Sequence, residues 1–374
     1  MRVLYPSGPR QLHTASRPRA PRRFHRALGG DARTPLLAQP ELAARWGVGQ
    51  VHVKVETSRL GLPSFKIMGA SWAVIEALRP VLPSWWRPEY GLAPLAGALP
   101  EVTLLTATEG NHGHALARIA RLIGLRARVL IPESAAEHRV DAILAEGAEV
   151  VCVPGTYDDA VSQSAVEAAR KDHVLVSDTS WPGYERVPAA VIDGYSTILW
   201  EIDEQLAEAG CGAPDLVLVQ VGVGSFAAAV IRHFRAATGG PRIVGVEPAQ
   251  AACVMASLAA DRLVTIPGPH KSMMTGLNCG SPSYVAWPTL SRGLDAAVAI
   301  EDDLAMTGTR TMADQGVAVG PCSGAGVGAA GELLAGEHAG VHRRLLGIGP
   351  DSTVLLFATE GAHDPVPASA ARSN

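Results

Sequence analysis

The chain has 374 residues, 47% of them hydrophobic and 18% charged, with a formal net charge of −4. That is roughly two to three domains' worth of chain and ample for a sizeable core. The lack of a basic excess argues against a nucleic-acid binder that neutralises phosphates. Only four of the 32 basic residues are lysines, Lys54, Lys66, Lys171 and Lys271, so any amine chemistry has four candidates. The five cysteines (Cys152, Cys211, Cys253, Cys279, Cys322) form no C-x-x-C pair, which excludes a zinc ribbon and a disulfide-dense secreted scaffold. The longest apolar stretch, 216–231, is broken by Gln220, two glycines and Ser225. No membrane span is expected, and a cytoplasmic protein is.

Residues 1–30 carry seven arginines and no acid. They read as a basic N-terminal arm, disordered or wrapped around a second subunit; no clean amphipathic period supports a transit peptide. From residue 101 the chain alternates. Residues 101–106 read as a strand, 114–125 as a helix and 126–131 as a strand. A capping box at Ser134 and Glu137 is expected to open a helix to residue 146. A strand at 148–153, a helix at 157–170 and a strand at 173–177 follow. A second set comprises a strand at 215–221, a glycine turn, a helix to 237, a strand at 242–247 and a last strand at 352–358. Strands separated by helices of this length predict β-α-β crossovers and parallel sheets.

Four motifs can carry chemistry. Lys66 stands at the start of an apolar helix, between Phe65 and Ile67. Burial and the helix dipole would both push it toward the neutral amine that forms a Schiff base; the residues alone equally allow a lysine that lifts its ammonium off a core helix. The run Thr108, Glu109, Gly110, Asn111, His112, Gly113 follows a strand and opens a helix, a place where backbone N–H groups hold a carboxylate or phosphate. Gly222, Val223, Gly224 and Ser225 follow a strand and precede a helix. With Glu247 ending the next strand they match a dinucleotide fingerprint, yet serve equally as another kind of phosphate cradle. Ser323 sits among small residues before a helix, as a ligand contact or an N-cap. His112 and His114, two apart, do not share a helix face, so no metal site is expected there.

Taken in order, these motifs resemble the fold-type II family of pyridoxal-phosphate (PLP) enzymes, and within it the diaminopropionate ammonia-lyases. The segment from Arg59 through Gly61, Pro63 and Ser64 to Lys66 carries the resemblance. So do Arg139 with Asp141, Ser177 to Trp181 with Tyr184, Gly194 with Tyr195, and Thr359 with Glu360 and Gly361. The likeness runs from about residue 31 to 364. It implies an α/β fold like the tryptophan synthase β chain, with two domains each built on an open, mostly parallel twisted sheet flanked by helices. Residues 31–97 and 190–374 would form the large PLP-binding domain and 98–189 the small one.

The same resemblance implies roles. Lys66 would hold PLP as a Schiff base and act as acid and base at Cα. Asn111 would contact the pyridine 3′-oxygen, the backbone of Gly222, Val223, Gly224 and Ser225 the phosphate, and Ser323 the ring nitrogen. Thr108, Glu109, Gly110 and His112 would hold the substrate, chiefly through backbone amides on its α-carboxylate. Asp178 matches a family carboxylate, whereas Glu109 stands where the family has aspartate and reaches about one methylene further. Cys253 and Cys279 would approach one another near the entrance, although two free thiols are the simpler expectation. The expected reaction is α,β-elimination of ammonia from an amino acid such as 2,3-diaminopropionate, giving pyruvate and ammonia, in a cytoplasmic homodimer. β-Replacement and hydroxyamino-acid dehydration on the same fold, and an NAD-dependent oxidoreductase outside it, are the alternatives.

Overall fold

Apolar runs too short for helices become strands, fully buried in β4 (Thr103–Ala107), β8 (Leu216–Gln220) and β10 (Ala296–Ile300), and the crossover helices between them force the strands parallel. The computed structural model describes residues 1–7, 17–29, 33–236 and 239–362. In chain order the strands are β1 (Arg2–Leu4), β2 (Leu36–Ala38), β3 (Gln50–Val55), β4 (Thr103–Ala107), β5 (Arg126–Pro132) and β6 (Glu149–Val153). They continue with β7 (His173–Leu175), β8 (Leu216–Gln220), β9 (Arg242–Pro248), β10 (Ala296–Ile300) and β11 (Thr353–Ala358). Seven of them form one sheet in the order β1-β10-β9-β8-β11-β3-β2, and four form another in the order β6-β5-β4-β7. The smaller sheet is parallel throughout. The larger one is parallel at its centre and closed by antiparallel β1 and β2 at its edges.

The described parts of the basic arm are built into this fold rather than left disordered. β1 pairs with β10, and the helix Ala20–Gly29 inserts Phe24 with no exposed surface. Burying one such ring stabilises by about 2 kcal/mol. Ser196 Oγ and Trp200 Nε1 both donate to Pro18 O, at 3.0 and 3.1 Å. The rest of the arm, 8–16 and 30, lies outside the described residues.

Several local expectations differ from the structure. The capping box at Ser134 does not form: the helix is Glu137–Leu144, its N-cap is Ala136, and no side chain caps it. Ser134 is used up in the turn leaving β5, where Ala135 N donates to Pro132 O at 2.9 Å. A true capping box stands one unit later, between Thr156 and Asp159, at the start of the helix Tyr157–Glu167. The helix after β4 begins at Asn111, three residues before the apolar spacing becomes visible. β10 escapes the sequence reading because its alanine-rich Ala296–Ile300 run has weak strand preference, and only its place between β9 and β1 makes it a strand. Among the described residues no helix is long and apolar enough to cross a membrane.

Candidate active site

The cleft lies at the carboxyl ends of the parallel strands, where open α/β sheets bind ligands. β4 runs into Thr108–Asn111, β8 into the 222–225 glycine loop and β11 into Thr359–Glu360, and all of these line one cleft of about 770 Å³ counting its open mouth. Lys66 enters it from the first residue of the helix Lys66–Leu78. That helix is almost wholly buried and packs tightly: a Cβ on Gly69 would lie 2.6 Å from the Tyr195 ring. The amine is therefore carried on a rigid support.

Lys66 Nζ donates to Asp178 Oδ2 at 2.7 Å, and Tyr157 Oη donates to Asp178 Oδ1 at 3.1 Å. Burial alone would lower the Lys66 pKa, as the sequence suggested, but the Asp178 carboxylate outweighs it and holds the group above the ordinary lysine range. Burial likewise opposes charge on Asp178, yet Lys66 and nearby His112 and Tyr157 bring its pKa down to about 2. Unliganded, the pair is an ammonium and a carboxylate. Tyr157, whose phenol burial pushes far up, remains a neutral donor. Nothing in its sequence surroundings singled it out.

Thr108 shapes the next loop: its Oγ1 accepts from Gly110 N at 2.9 Å and Gly113 N at 3.2 Å. The Gly110 amide is thus taken, and those of Asn111 and His112 open the helix beside the cleft. Glu109 lines the cleft, and burial raises its pKa to about 7, with Arg139 opposing and Asp158 adding to the rise. His112 Nε2 is tied to Val176 O at 2.9 Å, and burial lowers its pKa. Arg139 lines the cleft too, with Nη1 donating to Glu109 O at 3.3 Å. Asn111 Nδ2 donates to Glu360 Oε2 at 2.8 Å.

Gly224 adopts φ +94°, open to glycine, and turns the chain into the helix Ser225–Phe234. Ala228 N donates to Gly224 O at 2.8 Å, so the amides before it are left for an anion. A Cβ on Gly222 would crowd Cys279 Sγ and Gly276 O, both at 3.2 Å, so the backbone itself faces the cleft. Ser225 Oγ is committed to Asp178 O at 2.7 Å, which leaves its amide as the useful donor. The acid of the dinucleotide fingerprint is engaged elsewhere. Glu247 accepts from Val254 N at 2.7 Å and Met255 N at 2.8 Å, anchoring the helix Cys253–Ala260.

Ser323 is buried and not part of the cleft lining; its Oγ donates to Glu360 O and accepts from Glu360 N, both at 2.9 Å. Every other site residue expected from the sequence lines the cleft: Lys66, Thr108, Glu109, Gly110, Asn111, His112, Asp178, Gly222, Val223, Gly224 and Ser225. Cys253 and Cys279 are free and buried, and Cys279 lines the cleft. Among the described residues no cluster of three or more metal-ligating side chains occurs. The cleft also holds buried polar atoms without partners, namely His112 Nδ1, Gln220 Oε1 and Glu360 Oε1. A lysine amine, a backbone anion cradle and unpartnered polar atoms around one cleft fit a polar aldehyde that carries a phosphate.

A family model described as pyridoxal-phosphate dependent enzyme matches residues 27–356. Diaminopropionate ammonia-lyase of Salmonella typhimurium is 34% identical over 356 residues, 91% of this chain and 88% of that one. Its Escherichia coli K12 counterpart is 32% identical over 372 residues, 94% and 90% of the two chains. The solved structure of the Escherichia coli enzyme with an aminoacrylate-PLP azomethine reaction intermediate aligns with a TM-score of 0.88 at 28% identity, over 97% of this chain and 94% of that one. Serine racemase of maize shares the fold at a TM-score of 0.72 and 21% identity, over 94% and 95%. These likenesses set aside the dinucleotide reading of the glycine loop, and the chain belongs to the pyridoxal-phosphate-dependent enzyme family, with the fold-type II architecture and among relatives that are diaminopropionate ammonia-lyases.

Proposed function

We propose that this PLP-dependent lyase eliminates ammonia from 2,3-diaminopropionate or a closely related β-amino-substituted amino acid, giving pyruvate and ammonia. The observation that carries the reading is the pairing of Lys66 with Asp178 at 2.7 Å in a cleft that also holds Glu109, poised near neutrality. Two carboxylates of unlike affinity for protons, beside one amine, supply both proton removal at Cα and proton delivery to a departing amine. The β-ammonium of the substrate, a cation, finds carboxylates in the same cleft.

When bound, PLP supplies the electron sink that takes up the pair left at Cα. Lys66 is the residue that would hold it covalently. The amides of the 222–225 loop would bind its phosphate, Asn111 its 3′-oxygen and Ser323 the edge that carries the ring nitrogen. The amides of Asn111 and His112, with the loop shaped by Thr108 and Gly110, would hold the substrate α-carboxylate at a helix N-terminus. Asp178, ionised throughout the working range, is the nearest acceptor for the proton that Lys66 must lose before its amine acts. Glu109 would take or return a proton at Cα or at the leaving amine. Its side chain is longer by one methylene than aspartate, and proton transfer depends on heavy-atom distance.

An amino-acid panel on the PLP-loaded enzyme, scoring keto acid and ammonia together, tests the assignment. Diaminopropionate should lead serine, threonine and β-chloroalanine; a serine or threonine preference overturns it. Product analysis with added thiols separates elimination from β-replacement. Borohydride reduction and peptide mapping should place the pyridoxyl mass on Lys66. We further propose a cytoplasmic homodimer, tested by fractionation and by light scattering.

A further inference from the structure

The segment 359–361 meets three of the elements expected to hold the cofactor: the Lys66 segment, Asn111 and Ser323. Glu360 pairs as an isolated bridge with Ser64, two residues before Lys66, and Gly361 N donates to Pro63 O at 2.9 Å. The Glu360 backbone engages Ser323 Oγ twice, at 2.9 Å each. Its amide can only donate and its carbonyl only accept, so the single hydroxyl proton of Ser323 points at Glu360 O.

The Glu360 side chain is 3% exposed and faces the other way, toward Asn111. Asn111 Nδ2 lies 2.8 Å from Oε2, and Arg139 Nη2 approaches the same oxygen at 3.4 Å, so two donors converge on it. A carboxylate oxygen that receives donors accepts the NH₂ of an asparagine and rejects its carbonyl. The amide of Asn111 is therefore held in one of its two flips. One N–H is spent on Glu360, and the second remains for an acceptor in the cleft.

Resting on the proposed placement of PLP against Asn111, we infer that Glu360 is a positioning residue: it fixes the Asn111 amide as an N–H donor toward the cofactor's 3′-oxygen while its backbone fixes Ser323. Its effect on the cofactor's 3′-oxygen runs through Asn111. A hydrogen bond to the 3′-oxygen alters the proton affinity of the conjugated ring system, so the bound cofactor's absorption reports on it.

The test uses PLP-loaded enzyme and two readouts other than turnover: the pH titration of the bound cofactor's absorption, and the PLP dissociation constant. Asn111→Ala should displace the titration and weaken PLP. Glu360→Gln, nearly isosteric but able to face either flip, should displace it in the same direction and weaken PLP roughly tenfold, the size of one charge-assisted hydrogen bond. Adding Glu360→Gln to Asn111→Ala should change nothing further. A Glu360→Gln enzyme that titrates like the parent, or a double variant whose effects simply add, overturns the inference. If Asn111→Ala itself leaves the absorption unmoved, the cofactor placement fails, and this inference with it. Should Glu360→Gln not fold, Asn111→Asp reads the same contact from the other side. Two facing carboxyls must share a proton, so its cofactor absorption should gain a pH transition that Asn111→Ala lacks; no such transition overturns the link.

Discussion

Two of the four lysines are drawn into the protein, and they are opposites. Lys54, on β3, has no exposed surface and is saturated: Nζ donates to Thr34 O at 2.8 Å, Glu201 Oε2 at 2.7 Å and Gln205 Oε1 at 2.9 Å. Arg59 completes the cluster by engaging both Glu56 and Glu201. Lys66 has a single carboxylate partner and keeps 21% of its side chain open to the cleft. Burial wins at Lys54, whose pKa is lowered despite Glu201 and Glu56, whereas Asp178 wins at Lys66. An ammonium whose three donors are filled has nothing left for a ligand. One with a single partner and an open cleft has both a proton acceptor and room to react.

That contrast can be broken experimentally, starting with the largest effect. Lys66→Ala should remove the borohydride-trapped adduct and cut turnover by about three orders of magnitude or more. Lys54→Met should do the reverse. Leaving Glu201 short of a partner should cost about 3–5 kcal/mol in denaturant unfolding, while pyridoxyl labelling of Lys66 in the folded fraction is unchanged. A labelling loss in Lys54→Met that exceeds its unfolded fraction would erase the distinction.

Asp178→Asn should make Lys66 behave as a lysine governed by burial, its pKa falling once the carboxylate is gone. Turnover should drop about a hundredfold, and PLP capture by the apoenzyme should extend to lower pH. If the pH dependence of capture stays put, Asp178 is not what sets the amine's proton affinity.

Glu109 gives the smallest effects. As a base it must be ionised, so turnover should rise with pH through an inflection near 7 that vanishes in Glu109→Gln. Its pKa in the fold lies above the ordinary value of 4.5, so the stability gained from its protonated form is complete below that value and lost as pH rises through about 7. Glu109→Gln should accordingly melt higher than the parent at pH 8, by on the order of 1 kcal/mol, and gain little at pH 5. Equal gains at both pH values would refute the raised pKa.

How far the site was legible in the sequence depended on where each residue's partner stands. Glycine loops and helix starts are local, so the 108–113 and 222–225 runs announced anion cradles from spacing alone. Lys66 stood out for its apolar neighbours, but the sign of its pKa shift did not, because Asp178 lies 112 residues away. Tyr157 had no local signature of function, and Arg139 and Glu360 stood out only through the family resemblance; each acts through a partner from another segment. Glu247 misled for the same reason, since its carboxylate serves Val254 and Met255 rather than the glycine turn.

The scarcity of lysine, the alternation of strands and helices, and the order of the motifs are properties of the chain itself, because hydrophobic period and turn chemistry act over a few residues. They settled the parallel α/β architecture and narrowed amine chemistry to one residue. Tertiary structure decided the rest: which lysine is saturated, which carboxylate stays ionised, and which asparagine flip is held. These are balances between burial and charge, set at distances of about 3 Å by residues far apart in sequence.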